Sequence, residues 1–325
     1  MSLLAAIPYD AFTFGPFEVP LLSDLVQSMF DVPLKIHSFG LFVAIGLLIC
    51  FTMAARKGEQ KLGLDGEEVQ NFGIYLIAIG WMFSHFFNVI FYEPHLIKED
   101  PLILFKFWGS ISSYGGLFGG IIAAWIWRIK HREEDFTLWL DLAAWGLTFA
   151  WMFGRIGCAS VHDDPGAETV FFLAISGWPD GATRHVLGLF EAMWWVVIVA
   201  AMLILDRKPR PKGFYIAVVP LMYAPARFSF DFLRVGPEQG GDLRYLTEIL
   251  PGGGWTPAQF FSIGIFIAGI YFWNRMRNEP PLVWKQFDPA AAATTSAAEV
   301  AEDDEESDEE EAVDRKRQHR PKKKK

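Results

Sequence analysis

Apolar residues in this chain do not alternate with polar ones; they run together. Seven stretches, about 36–55, 73–92, 109–127, 138–154, 186–205, 213–231 and 257–274, are apolar throughout. Each approaches the roughly 20 residues that a helix needs to cross a hydrocarbon core of about 30 Å. The fourth and seventh are a little short for a perpendicular crossing. The pattern therefore predicts an all-α, polytopic membrane protein with seven transmembrane helices.

The polar segments between these stretches set the orientation. With the N-terminus outside, the inner segments 56–71, 128–137, 206–213 and 275–286 carry 13 Lys and Arg in 46 positions. The outer segments 1–35, 94–107, 155–185 and 232–256 carry 7 in 105. Basic residues accumulate on the cytoplasmic side of a membrane, so this asymmetry predicts N-terminus outside and C-terminus inside. The long outer loops, 155–185 and 232–256, place any elaborated site at the outer face.

Three regions follow. Residues 1–35 form an outer-face segment whose only basic residue is Lys35, which argues against a cleaved signal peptide. Phe12, Phe14, Phe17 and Phe30 there suit either a segment lying on the outer leaflet or an unstructured end. Residues 36–286 form the membrane domain. Residues 287–325 are acidic from Glu302 to Glu311 and then end RKRQHRPKKKK, the composition of a solvated cytoplasmic tail.

Composition sharpens the class. Of 325 residues 52% are hydrophobic, with 30 Phe and 13 Trp, and 12 of the 38 acidic groups sit in the tail. That excludes a disordered, collagen-like or disulfide-framework protein. Cys50 and Cys158 offer no metal spacing, no other cofactor motif is present, and the net charge of −9 gives no sign of a nucleic-acid partner.

Ionisable residues inside a bilayer are expensive and need partners or a function. Here they are His85 and Asn88 in the second stretch, Asp141 and Arg155 in and at the end of the fourth, Glu191 in the fifth, and Arg227 and Asp231 in the sixth, with Arg234 just beyond. Asp141 lies toward the inner end, where capping a helix or snorkelling to the interface are its simplest roles. Arg227 and Asp231, four apart, share a helix face. The topology gathers His85, Arg155, Arg227 and Arg234 toward the outer face. Arginine binds phosphate through a planar fork and stays charged, so three of them there point to an anionic lipid or substrate. Gly115, Gly116, Gly119 and Gly120 in SSYGGLFGG let a helix or a lipid head group approach closely. The last stretch has no lysine for a retinal Schiff base, and polar groups confined to one face disfavour a channel.

GRIGCASVHDDPG (154–166) resembles the signature loop of the prolipoprotein diacylglyceryl transferases. IHSFGLFVAIGLL (36–48), SSYGGLFGG (112–120), RHVLGLFE (184–191), RKPRPKG (207–213), YAPARFSFDFLR (223–234) and TPAQFFS (256–262) resemble further segments of that family, in the same order. The resemblance covers about residues 30–280. It implies transfer of a diacylglyceryl group from phosphatidylglycerol to the lipobox cysteine of a prolipoprotein, at the outer leaflet of the bacterial inner membrane. The partners it implies are phosphatidylglycerol, the prolipoprotein signal-peptide region and membrane lipid.

The resemblance also implies roles for particular residues. Arg155 matches the signature arginine that binds the lipid phosphate, and Arg227 the essential arginine of the sixth span. Tyr223, Glu191, Asp231, Arg234 and Gln259 fall on family-type positions, with Gly115 and Gly116 beside the lipid. The family histidine in the SFHGG segment is Tyr114 here, Phe39 replaces a tyrosine, and Cys158 an asparagine. Tyrosine is a poor base near neutrality. The expectation is that His162, oriented by Asp163 or Asp164, or else His85, supplies the base beside Tyr114. The alternative is a relative that keeps the lipid site but is inactive or modifies another acceptor.

Overall fold

The computed structural model describes residues 7–11, 13, 15, 17–18, 35–106, 110–132, 135–163, 165–239, 241–250 and 253–284. The tail from 287 lies outside the described residues. Seven long helices carry the fold: α1 (Ser38–Lys57), α2 (Gly66–Phe91), α3 (Ser113–Lys130), α4 (Phe136–Ser160), α5 (Leu187–Leu205), α6 (Phe214–Phe230) and α7 (Pro257–Met276). Among the described residues, five helical segments are long and apolar enough to cross a membrane: Ser38–Leu62, Gly66–Phe91, Phe136–Ser160, Leu187–Leu205 and Phe214–Leu233. The fourth of the seven stretches is thus not short; its helix has 25 residues. The helices outside that set are α3, diluted by four glycines and two basic residues, and α7, which carries Gln259, Asn274 and Arg275.

Helices begin where side chains can take up their free backbone N–H groups. Asp65 accepts from Glu67 N and Glu68 N at 2.7 and 3.1 Å and starts α2. Asp135 accepts from Thr137 N and starts α4. For α6 the cap comes from another helix: Gly213 turns the chain in the left-handed region (φ 86°), and Asp141 of α4 accepts from Tyr215 N and Ile216 N at 2.5 and 2.9 Å. Asp141 is therefore a cap, as its depth suggested. Thr256 and Gln259 make a reciprocal capping box on α7.

α4 is central, packing on α1, α5 and α6, while α2 pairs with α3 and α6 with α7. One core joins Trp145 and Phe149 to Trp195, Ile198, Met202, Tyr215 and Tyr223; a second joins Ala54 and Phe72 to Ala124, Trp139 and Leu142. The outward faces are apolar too. Leu48 is 67% exposed, Trp125 61% and Ile267 60%, as helices surrounded by lipid require.

The chain is not purely helical. At the end of the bundle where α4 finishes, Ile7–Pro8 (β1), Pro165–Glu168 (β4), Ile175–Ser176 (β5) and Thr183–Val186 (β6) form a sheet of order β1-β5-β6-β4. Phe17–Glu18 (β2) pairs with Lys35–Ile36 (β3). The described part of the N-terminal segment is therefore not unstructured: Ile7–Pro8 and Phe17–Glu18 pair as strands. Phe12, Phe14 and Phe30 lie outside the described residues.

Candidate active site

The sheet-covered end of the bundle gathers the charged residues. Arg155 comes from the penultimate turn of α4, Glu191 from the first turns of α5, Arg227 from the last turn of α6, and Thr256 and Gln259 from the start of α7. Asp231 and Arg234 follow α6 in a one-turn 3-10 segment and its exit.

Glu191 is the hinge of the arrangement and is almost fully buried. Its Oε2 lies 3.0 Å from Arg155 Nε and accepts from the Tyr223 hydroxyl at 3.2 Å. Its Oε1 faces Arg227 Nε at 3.6 Å. Arg227 also reaches Asp231 through Nη1 at 2.5 Å, the intrahelical pair that the four-residue spacing suggested. Asp231 Oδ1 meets Arg234 Nε at 3.2 Å, and Arg234 Nη1 meets Asp242 at 2.8 Å. Asp231 Oδ2 accepts from the Thr256 hydroxyl, tying α7 to the end of α6. Arg155 Nη2 donates to Ser113 Oγ at 3.3 Å, which brings in the start of α3.

Three guanidiniums thus meet three carboxylates. Arg155, Glu191, Arg227, Asp231 and Arg234 are buried, and a buried ion survives only with partners of this quality. Glu191 stands between two arginines from different helices. A phosphate arriving there would meet the Nε edges of two guanidiniums at one anionic position.

Tyr114, in the first turn of α3, lies within electrostatic reach of Arg227, Glu191 and Asp231. Its hydroxyl meets Ser262 Oγ at 2.7 Å. Ser262 itself donates to Ala258 O at 2.7 Å, so Tyr114 is the donor in that pair.

The two histidines do not join the cluster. His85 Nδ1 lies 3.0 Å from Ser110 O and Nε2 lies 2.7 Å from Ile103 O. Both ring nitrogens face backbone carbonyls, and the ring ties Ile103 and Ser110 to α2. His162 sits beyond α4, stacked on Tyr9 at 3.9 Å between ring centres and edge-on to Trp178. Its ring makes no hydrogen bond to Asp163; its polar neighbours are the Tyr9 backbone and Asp10. Asp164 lies outside the described residues. Burial holds the His162 ring below the usual histidine range.

Gly115 is filled by protein as well. A β-carbon there would lie 2.3 Å from Phe87 Cβ and 2.7 Å from Phe83 O, so it serves the contact of α3 with α2. Gly116 faces Gly80 and Ser84 of the same helix. Sequence reasoning missed Thr256, Asp242 and Ser262. The Thr-Pro-x-Gln capping pattern at 256–259 was a signal for the first; nothing local marks the other two.

Comparison with known proteins places the chain in a family. The family model for prolipoprotein diacylglyceryl transferase matches residues 27–275. The phosphatidylglycerol–prolipoprotein diacylglyceryl transferase of Chromohalobacter salexigens is 29% identical over 257 residues, covering 76% of this chain and 91% of that protein. Transferase 2 of Clostridium perfringens is 27% identical, covering 74% and 91%. The Nitratidesulfovibrio vulgaris enzyme is 28% identical, covering 76% and 91%. With a match across more than half its length, beginning before the first long helix and ending within the last, the chain belongs to the prolipoprotein diacylglyceryl transferase family.

Proposed function

We propose that this protein transfers the diacylglyceryl group of phosphatidylglycerol to the lipobox cysteine thiol of prolipoproteins. The observation that carries the reading is the Arg155–Glu191–Arg227 triad, two buried guanidiniums from different helices converging on one carboxylate.

The lipid phosphate enters between Arg155 and Arg227 and takes their Nε contacts from Glu191. The cysteine sulfur attacks the terminal glyceryl carbon. A carbon–sulfur bond forms, the carbon–oxygen bond to phosphate breaks, and glycerol phosphate leaves with the electron pair. The two guanidiniums stabilise the charge that gathers on the departing oxygen, where preorganised donors act most strongly. The thiol must also lose its proton. Glu191, released by the arginines as the phosphate binds, is the carboxylate at hand. Tyr114, Tyr223, Asp231 and Arg234 hold the site's shape and charge. Seven helices span the bacterial inner membrane with the N-terminus and this site outside, and the basic loops support that orientation.

The test is a transfer assay with purified protein, phosphatidylglycerol and a lipobox-cysteine peptide, following glycerol phosphate and lipidated peptide. Arg155→Ala and Arg227→Ala should each lower turnover by about 100-fold or more. Undiminished turnover in both would overturn the reading.

A further inference from the structure

At the opposite end of the bundle, α5 finishes, α6 begins and α7 finishes. Leu205, Phe214, Val218, Leu221, Met222 and Trp273 line an apolar groove of about 380 Å³ there. Val218, Leu221 and Met222 stand at i, i+3 and i+4, one stripe of α6. From Phe214 to Met222 the stripe runs about 12 Å at 1.5 Å per residue. A hollow walled by hydrocarbon offers water no partners, so it takes hydrocarbon.

An independent observation marks its polar end. Arg210 Nε donates to Leu205 O at 2.8 Å, and its guanidinium carbon lies 5.1 Å from the centre of the Phe214 ring. Leu205 and Phe214 both line the groove. The two Nη groups of Arg210 carry no hydrogen bond or ion pair among the described residues. The arginines of the active site differ, since each meets a carboxylate.

The neighbouring acids at this end are engaged. Asp206 holds Lys57 at 2.6 Å and Lys61 at 2.7 Å and accepts from the Tyr215 hydroxyl; Asp135 holds Lys212 at 2.8 Å, with Glu279 also toward Lys212; Asp141 caps α6. Arg207, Lys208 and Arg275 are exposed around the same end. An anchored guanidinium with free donors therefore touches two residues of the groove's wall, in a basic surround, and borders the neighbouring hollow lined by Lys57, Asp141, Asp206 and Tyr215.

We propose that the groove and Arg210 bind one anionic phospholipid of the leaflet opposite the active site. An acyl chain lies along Val218, Leu221 and Met222 against Trp273, and the phosphate takes the Arg210 Nη donors. The proposal rests on the membrane-spanning reading but not on the transfer chemistry.

The test uses the full chain in phosphatidylcholine nanodiscs doped with a phosphatidylglycerol carrying a photoactivatable acyl chain, or with the matching phosphatidylcholine probe. Crosslinked peptides are then mapped. The anionic probe should label 214–222 and Trp273. Arg210→Gln should cut that labelling about tenfold, the scale of one charge-assisted bond. Val218→Trp should abolish it by filling the groove. Arg227→Ala should leave it unchanged, which separates this site from the substrate site and keeps the result readable even if transfer fails. Thermal midpoints check that each variant is folded. Equal labelling by the phosphatidylcholine probe, or labelling untouched in both folded groove variants, would overturn the proposal.

Discussion

Glu191 carries opposite duties in stability and in binding. It neutralises Arg155 and Arg227, yet it occupies the position that a phosphate would take. Glu191→Gln leaves two buried cations short of a partner, a loss of about 3–5 kcal/mol. Its thermal midpoint in detergent should fall well below that of the native chain. Added phosphatidylglycerol should raise the variant's midpoint more than the native one, because the lipid no longer competes with a carboxylate. An equal lipid-induced rise in both would exclude that competition. His162 gives a pH signature. Burial lowers its folded pKa below the unfolded value of about 6.5, so the unfolded chain binds the proton first. Its contribution is complete above that value and is lost as pH falls through the folded pKa. Midpoints measured from about pH 8 to about pH 5 should fall more steeply for the native chain than for His162→Phe, which keeps the stack without the titration. At this scale the sequence was readable where a charge interrupted an apolar run. Arg155, Glu191, Arg227 and Asp231 announced themselves by cost. His85 announced itself in the same way, but backbone carbonyls 18 and 25 residues away meet that cost, and no spacing rule reveals those.

Elements were legible through their apolar runs, and less so at their ends. α4 continues past Arg155 to Ser160 because Glu191 neutralises the arginine, so the charge that seemed to end the span does not. The small sheet was illegible: strands of two to four residues are too short to show alternation. The glycines of α3 separate into two kinds. A β-carbon on Gly119 would lie 2.5 Å from Phe83 Cβ and 2.9 Å from Gly80 Cα, whereas one on Gly120 meets nothing within 4 Å. Gly119→Val should force α2 and α3 apart and cost at least about 1–3 kcal/mol. Gly120→Ala should be neutral or stabilising by up to about 1 kcal/mol, since alanine favours the helix. Paired denaturation measurements on these variants check the contrast. Equal effects would mean that α3 does not pack on α2 through this face.

Across the whole molecule, charge is sorted by end. The Arg155–Asp242 network occupies one end and the Lys57–Asp206–Lys61 knot the other, with apolar cores between. Asp206 stays below the usual carboxylate range: burial pushes it up, but Lys57, Lys61 and Tyr215 outweigh that. The proposed orientation makes a direct prediction. Val170 is fully exposed beside the sheet and Lys208 is exposed at the other end. A membrane-impermeant maleimide should label Val170→Cys on intact spheroplasts, and Lys208→Cys only after lysis. The buried native cysteines should stay silent. The reverse pattern would invert the topology.

The sharing of carboxylates in the arginine network has a consequence for descent. With Glu191 and Asp231 each held by two arginines, one substitution strands a partner, while a matched pair can pass almost unnoticed. Such a network drifts in steps of two. Asp231, standing where the family resemblance places a glutamate, has a carboxylate one methylene shorter and is met by Thr256 as well as by two arginines. Restoring the longer side chain alone should be harmful here, and the compensating change should be found at position 256.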